Sequence, residues 1–221
     1  MPHLHVTTVI FDLDGTLLNT LDDLTASVNF ALATWELPTR SSEEVRRSVG
    51  NGMERLMELS VPGDKTNPCF QECVDTFVSH YSQNMSTSTR PYHGIVQVLR
   101  TLKAAGVSIA VVSNKFDWAV KELCQVYFDG YIDIALGQSG DTPMKPSPEG
   151  ALQVLRATGT RPDRALYVGD SEIDIRTARN AGVESVGVTW GFGGREALET
   201  EGAAHIIGAP SEILPLVGLS R

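Results

Sequence analysis

The sequence predicts an α/β protein: a parallel sheet core with an all-helical domain inserted near its N-terminus. Two observations lead to this fold class. After Arg90, short apolar runs of strand character alternate with amphipathic stretches of helical period, which is typical of crossover units around a parallel sheet. Between the first apolar run and that region, only helical patterns occur. We therefore predict a core formed by residues 1–17 and 88–221, and a helical domain over residues 18–87.

The first strand is the apolar run over residues 8–11, and the domain that follows it contains four helical patterns. Apolar side chains recur there at steps of three and four residues. Thr20, with Asp23 three residues later, resembles a capping box at the start of the first helix. The four patterns cover residues 20–37, 42–49, 53–60 and 66–85.

The elements of the core alternate regularly. Gly106, Gly159 and Gly182 follow helical patterns, and glycine at that position commonly ends a helix. Strand patterns cover residues 107–112, 131–136, 165–168 and 185–188, with a weaker one at 205–207. Helical patterns cover residues 95–105, 117–127, 148–157 and 172–180, with a weaker one at 195–200.

Composition limits the possible partners. The chain has 221 residues, of which 42% are hydrophobic and 20% are charged, as in an ordinary globular protein. Its formal net charge of −9 disfavours nucleic acid and anionic membranes as partners, because both select clustered Lys and Arg side chains. An anionic substrate would need local neutralisation by a divalent cation or by a few placed Lys or Arg residues.

Three features favour a cytoplasmic protein. The chain has no run of 18 apolar residues, so we expect no transmembrane helix. Its first residues lack the basic and then apolar pattern of a secretory signal. Cys69, Cys73 and Cys124 form a small, odd-numbered set, which favours reduced thiols over disulfides or a metal site. Both a monomer and a homodimer are compatible with the sequence.

Two aspartates, Asp12 and Asp14, follow the first apolar run directly. In open α/β sheets, ligands bind beyond the carboxyl ends of the strands, so carboxylates at this position are placed for chemistry. Such a carboxylate can attack phosphorus or hold a metal ion. The alternative is a structural role in which Asp12 caps a turn.

Polar side chains follow other predicted core strands as well. Ser113 and Asn114 can donate hydrogen bonds to an anion, and Lys145, flanked by prolines, can neutralise a phosphate. Asp170 and Asp174 lie four residues apart at a helix start, where two carboxylates can converge on one cation. Taken singly, each group also fits an ordinary turn, an exposed loop lysine or a helix N-terminus.

Taken together, these groups favour phosphoryl transfer. In one parallel sheet the four strand ends meet in a single crevice. The crevice would then contain a nucleophile, an acid-base group, phosphate-binding donors, a cation and hard oxygen ligands. Oxygen ligands without a cluster of His or Cys favour Mg²⁺ over Zn²⁺.

These motifs resemble the four motifs of the haloacid dehalogenase (HAD) superfamily, in the family's order. Residues 12–16, Asp-Leu-Asp-Gly-Thr, resemble the first motif, and Ser113 resembles the second. Lys145 resembles the third, and residues 169–171 with Asp174 resemble the fourth. The resemblance covers essentially the whole chain. It implies a Rossmann-like core, with the helical insert in the position of a C1-type cap.

The resemblance implies a role for each of these residues. Asp12 would be the nucleophile that forms an aspartyl-phosphate, and Asp14 would be the general acid and then the base that activates water. Ser113 and Lys145 would bind the transferring phosphoryl group, with Asn114 helping to shape the pocket. The Mg²⁺ ligands would be Asp12, the backbone carbonyl of Asp14, Asp170 and Asp174. Asp174 would either coordinate the ion directly or act through another ligand.

Five segments carry a finer resemblance: residues 49–52, 91–94, 145–148, 169–175 and 190–193. They resemble the corresponding segments of bacterial phosphoglycolate phosphatases. This resemblance implies a small phosphorylated metabolite as the substrate, with 2-phosphoglycolate as the best single hypothesis. The alternatives are a β-phosphoglucomutase-like phosphomutase, another sugar-phosphate phosphatase or pyrophosphatase, and a non-catalytic binding module.

Asp14 and the cap sequence refine these hypotheses. Dehalogenases of the superfamily lack an acid two residues after the nucleophile, so Asp14 favours a phosphate ester as substrate. A binding module would be expected to lack Asp12 or Asp14. Within the cap, residues 50–52 are predicted to form a loop that faces the core. Arg46 or Arg47 could pair with a substrate carboxylate, but a solvated helix face is the simpler interpretation.

Overall fold

A computed structural model of the protein describes residues 6–140 and 143–219. The described residues form eight strands. Six of them make one sheet in which every neighbouring pair is parallel, in the order fifth, fourth, first, sixth, seventh, eighth. The predicted fold class is therefore confirmed. The strands are β1 Thr8–Phe11, β2 Leu18–Asn19, β3 Arg90–Pro91, β4 Ser108–Phe116, β5 Ile134–Gln138, β6 Ala165–Gly169, β7 Glu184–Val188 and β8 His205–Ile207.

Helices occupy each stretch where a helical pattern was predicted. None of the helices in the described part of the chain is long and apolar enough to cross a bilayer. The α-helices are α1 Leu21–Thr34, α2 Ser42–Ser48, α3 Met53–Ser60, α4 Phe70–Asn84, α5 Ile95–Ala104, α6 Asp117–Phe128, α7 Glu149–Thr158, α8 Glu172–Ala181, α9 Arg195–Glu201 and α10 Ile213–Val217.

Two elements start several residues later than predicted. The helix predicted over 66–85 begins only at Phe70, because Asn67 precedes a proline and takes an extended conformation, which interrupts a helix. The strand predicted over 131–136 begins at Ile134, because the Tyr131 N–H still closes a turn with the carbonyl of Phe128.

β1 lies at the centre of the sheet, between β4 and β6. Its last residue, Phe11, is in register with Val111 of β4 and Val168 of β6. All four residues of β1 are buried, as expected for a parallel strand covered on both faces. The carboxyl ends of β4, β1 and β6 therefore lie side by side, and the residues that follow them share one edge of the sheet.

Helices α1 to α4 lie between β2 and β3, which pair antiparallel with each other. This two-residue ribbon was not predicted, since two residues are too few to produce a visible alternation. It joins the two chain segments at which the helical insert begins and ends. The predicted division into residues 1–17 with 88–221 and residues 18–87 stays a prediction.

The predicted capping box at Thr20 is wrong. The Thr20 hydroxyl donates a hydrogen bond to Asp14 at 2.7 Å and makes no cap contact with α1. Asp23 accepts hydrogen bonds from the backbone N–H groups of Ser88 and Thr89, each at 2.8 Å. Both side chains therefore make contacts beyond their own helix, which spacing along the chain cannot reveal.

Candidate active site

Asp12 and Asp14 lie in the loop that leaves the carboxyl end of β1. The Asp12 N–H donates to the Val168 carbonyl at 2.9 Å, which extends the pairing of β1 with β6 by one residue. The chain then turns at Gly15, whose φ of +82° lies in the left-handed region that favours glycine. The two carboxylates consequently reach different surroundings.

Asp12 lies beside a buried lysine. The Lys145 ammonium is 2.8 Å from one Asp12 oxygen and 2.7 Å from an oxygen of Asp174. Burial raises the pKa of Asp12 to about 6, even though the charge of Lys145 acts in the opposite direction. The backbone N–H of Lys145 donates to the Asn114 side-chain oxygen at 2.7 Å, which fixes the start of this loop.

Asp170 and Asp174 approach the same place from the loop after β6 and the first turn of α8. Asp170 accepts hydrogen bonds from the N–H groups of Phe192 and Gly193, at 2.6 and 3.3 Å. Burial, and then the nearby charges of Asp174 and Asp12, raise the pKa of Asp170 to about 8. The second oxygen of Asp174 accepts from both the N–H and the hydroxyl of Ser171.

Asp12, Asp170 and Asp174 together form a cluster with the donor set of a metal site. Each provides one carboxylate oxygen, and the three oxygens lie within 4.8 Å of one another. Gly15 and Gly191 make this arrangement possible, because a Cβ atom at either position would collide with the Asp170 carboxylate. A buried group of oxygen donors with unfavourable mutual charge suits a hard divalent cation such as Mg²⁺.

Ser113 and Asn114 lie in β4, which extends beyond the predicted end of that strand. The ladder with β5 shifts register between Val112 and Phe116, so this end of the strand is irregular. The Asn114 amide group donates to the carbonyls of Gly50 and Lys145, at 3.0 and 3.1 Å. Asn114 thus connects a core loop with the loop before α3, and its role in shaping the phosphate pocket stays a prediction.

Lys115 is a buried residue of this site that sequence reasoning missed. Its ammonium lies 3.0 Å from both carboxylate oxygens of Asp14. It also lies 4.8 Å from the centre of the Tyr81 ring, which belongs to α4. The available signal was a lysine directly after Ser113 and Asn114, but the strand was predicted to end at residue 112, and spacing along the chain does not indicate a contact between Lys115 and Asp14.

Two connected clefts lie between these groups and the helical insert. The inner cleft, of about 340 Å³, contains Asp12, Asp14, Ser113 and both buried lysines in its walls. The outer cleft, of about 770 Å³, is bordered by Asp170, Ser171, Phe192 and the two arginines of α2. Residues 49 and 50 border both clefts, so the predicted loop does face the core.

The two arginines of α2 differ in their surroundings. The Arg46 guanidinium pairs with Glu43 and also donates a hydrogen bond to the Phe192 carbonyl of the core. Arg47 pairs with Glu43, and its side chain is 72% exposed. A solvated helix face therefore describes Arg47, whereas Arg46 spans the mouth of the outer cleft.

The fold and this site define a class of α/β proteins in which a cluster of buried carboxylates lies beyond the central strand of a parallel sheet and faces a helical insert. Residues 9–188 match the haloacid dehalogenase-like hydrolase family. This match covers most of the chain, which therefore belongs to the haloacid dehalogenase-like hydrolase family.

Relatives of known name support the same class. The chain is 32% identical over 212 residues to a phosphoglycolate phosphatase of Aquifex aeolicus, covering 95% of each chain. It is 35% identical over 190 residues to a phosphoglycolate phosphatase of Mannheimia succiniciproducens, covering 82% of this chain and 85% of that one. These relatives confirm the prediction of a phosphatase, that is, a phosphoric monoester hydrolase.

A solved structure has the same architecture over nearly the whole chain. The crystal structure of a predicted phosphoglycolate phosphatase from Haemophilus somnus superposes with a TM-score of 0.91 at 30% sequence identity. The superposition covers 97% of this chain and 99% of that one, so it includes the helical insert as well as the sheet.

Proposed function

We propose that the protein is a Mg²⁺-dependent phosphatase that hydrolyses 2-phosphoglycolate to glycolate and phosphate through an aspartyl-phosphate. The observation that carries the proposal is that two aspartates of the same loop lie in different environments. Asp12 belongs to the carboxylate cluster and is held against Lys145, whereas Asp14 is held by Thr20 and Lys115 in the wall of the inner cleft. Two environments for two neighbouring carboxylates are what a nucleophile and an acid-base group require.

In the first half-reaction, an oxygen of Asp12 attacks the phosphorus atom and the bond from phosphorus to the ester oxygen breaks. Asp14 transfers its proton to that oxygen, so glycolate leaves with a neutral hydroxyl group rather than an alkoxide. Lys145, 2.8 Å from Asp12, opposes the charge that gathers on the phosphoryl oxygens. The Ser113 hydroxyl borders the same cleft and can donate to one of them.

In the second half-reaction, a water molecule attacks the phosphorus atom of the aspartyl-phosphate. Asp14, now a carboxylate, takes a proton from this water, and the bond between phosphorus and Asp12 breaks. Phosphate leaves, and Asp12 and Asp14 return to their starting forms. Because the acid of the first step is the base of the second, Asp14 needs a fixed position through both. Thr20 and Lys115 supply it.

The carboxylate cluster is the proposed Mg²⁺ site. The ion would be held by Asp12, Asp170 and the backbone carbonyl of Asp14, and it would offset the charge of two carboxylates and a phosphate dianion. Both Asp174 oxygens are engaged by Lys145 and Ser171, which supports an indirect role in which Asp174 orients Lys145. The convergence of one oxygen each from Asp12, Asp170 and Asp174 within 4.8 Å also supports a cation at this place.

The names of the relatives support a small substrate. The loop before α3 borders the inner cleft, so the cleft lies between the core and the insert. We also propose that residues 18–87 act as a cap over a core of residues 1–17 and 88–221. Closure of such a cap excludes water other than the attacking molecule.

A panel of phosphorylated metabolites, assayed with Mg²⁺ and ranked by kcat/KM, tests this function. We expect phosphate release, with 2-phosphoglycolate at the top of the ranking. Asp12→Asn should abolish release and retain the circular dichroism spectrum and Tm, and Asp22→Asn, an exposed change in α1, is the matched control. Retention of the phosphate on an isomerised sugar, or full activity of Asp12→Asn, would contradict the proposal.

A further inference from the structure

Lys115 is a buried cation on the side of the site where the leaving group must lie. We propose that Lys115 binds the carboxylate of the substrate and thereby selects phosphate esters of short hydroxy acids over those of neutral alcohols and sugars. The inference rests on the proposed phosphatase function and adds to it a residue that recognises the part of the substrate remote from phosphorus.

The position of Lys115 follows from its contact with Asp14. A general acid must come within hydrogen-bond distance of the ester oxygen that it protonates. In glycolate the carboxylate oxygens lie only about 2.7–3.6 Å from that ester oxygen, given bonds of about 1.2–1.5 Å. The Lys115 ammonium is 3.0 Å from both oxygens of Asp14. A cation in this position can therefore hold Asp14 and reach the leaving-group carboxylate at the same time.

The distribution of cations in the inner cleft also points to Lys115. Among the described residues that border this cleft, the cationic side chains are Lys115 and Lys145. Lys145 already lies between Asp12 and Asp174, on the phosphoryl side. A second anionic group bound in the same cleft would therefore have Lys115 as its partner.

The walls around Lys115 favour a small acid over a sugar. Much of the inner cleft is lined by apolar side chains of the insert, Leu24, Val49, Met53 and Leu56. Such walls strengthen an ion pair by excluding water, and they provide few partners for sugar hydroxyls. The buried ring of Tyr81, whose centre is 4.8 Å from the Lys115 ammonium, further shields this cation from water.

The arginines of α2 are less suitable for this role. Arg46 is engaged by Glu43 and by the Phe192 carbonyl, and the side chain of Arg47 is 72% exposed. Both border the outer cleft rather than the inner one that contains Asp14 and Lys115.

The experiment compares two substrates that differ at a single group. They are 2-phosphoglycolate and 2-hydroxyethyl phosphate, in which a neutral CH₂OH replaces the carboxylate. For the wild type we expect kcat/KM to favour 2-phosphoglycolate at least about 100-fold, since a buried ion pair discriminates strongly against a neutral analogue. Lys115→Met should reduce this ratio to below about 5. Lys115→Arg should restore part of it, and Lys121→Met, whose side chain is 61% exposed, should leave it unchanged.

The ratio separates substrate binding from the positioning of Asp14. Loss of the Asp14 contact lowers kcat for both esters alike, so an unchanged ratio in Lys115→Met would overturn the inference and leave Lys115 as a positioning residue. A wild-type enzyme that hydrolyses both esters equally would also overturn it while the phosphatase function stands. Hydrolysis of neither ester would contradict the proposed function itself.

A second measurement uses only the wild type, so it does not depend on whether a Lys115 variant folds. Glycolate and glycolamide, which differ in charge at the same group, are compared as inhibitors of p-nitrophenyl phosphate hydrolysis by the wild type. The inference predicts that glycolate binds at least about 10-fold more tightly than glycolamide. Equal inhibition by the two compounds would contradict it.

Discussion

The ammonium of Lys145 lies 2.8 Å from a carboxylate oxygen of Asp12, and both side chains are buried. The two residues come from different strand ends, and the contact exists because the sheet brings those ends together. Lys145 also reaches Asp174, so a single cation serves two buried carboxylates.

Removal of the Lys145 ammonium should destabilise the protein. Lys145→Met would leave Asp12 and Asp174 without their cationic partner, and breaking a buried pair in this way typically costs about 3–5 kcal/mol. We expect the free energy of unfolding in urea, measured without metal, to fall by that amount. Lys65→Met is the control, because Lys65 forms an exposed pair with Glu54 and exposed pairs contribute about 0–1 kcal/mol. Similar small losses in both variants would contradict the burial argument.

Asp14 should be needed more for the second half-reaction than for the first when the leaving group is activated. The p-nitrophenolate anion departs without a proton, whereas attack by water still needs a base. Asp14→Asn should therefore release a rapid burst of about one p-nitrophenol per enzyme, followed by turnover about 10²–10⁴-fold slower than the wild type. Stopped-flow absorbance measures both phases. A slow steady rate with no burst would show that Asp14 acts before the aspartyl-phosphate forms.

Asp170 should make the metal-free protein less stable as pH rises. Its pKa is raised to about 8, so the folded state binds this proton more tightly than the unfolded state does. Its stabilising contribution is therefore fully present below the unfolded pKa of about 4 and is lost as pH rises to about 8. Asp170→Asn removes this dependence. In EDTA, the Tm of the wild type should therefore fall relative to that of the variant as the pH rises from about 5 to about 8.

The same variant should also lose the response to metal. We expect Mg²⁺ to raise the Tm of the wild type but not that of Asp170→Asn, because the amide is a weaker ligand for a hard cation. The amide can retain the hydrogen bonds from the Phe192 and Gly193 N–H groups, so the fold should be preserved. An equal Mg²⁺ shift in both proteins would place the ion elsewhere.

Gly191 should be intolerant of a side chain. A Cβ atom there would collide with the Asp170 carboxylate and with the carbonyl oxygen of Gly15, so alanine must displace one of them. We expect Gly191→Ala to weaken Mg²⁺ activation and to lower kcat/KM at least about 100-fold, because a misplacement of about 1 Å can have that effect. Gly208→Ala is the matched control, since its nearest contact would be 3.8 Å away. Activity of Gly191→Ala within a factor of two of the control would contradict the prediction.

The fold class and most residues of the carboxylate site could be predicted from the sequence alone. Strand and helix periods are local properties, and parallel strands present their carboxyl ends at one edge, so Asp12, Ser113, Lys145 and Asp170 could be expected to lie together. The tertiary structure does bring them to one edge, although their chemical roles remain proposals.

Other features were decided only in three dimensions. Thr20 and Asp23 have the spacing of a capping box, yet they bind Asp14 and the backbone at residues 88–89, because tertiary partners outcompeted the local one. The contact of Lys115 with Asp14 and that of Arg46 with the Phe192 carbonyl join residues far apart in the chain. Sequence spacing reports which side chains share a face of one element, whereas contacts between elements depend on how the insert packs on the core. For that reason the leaving-group side of the site, with Lys115 and Tyr81, became visible only in the folded protein.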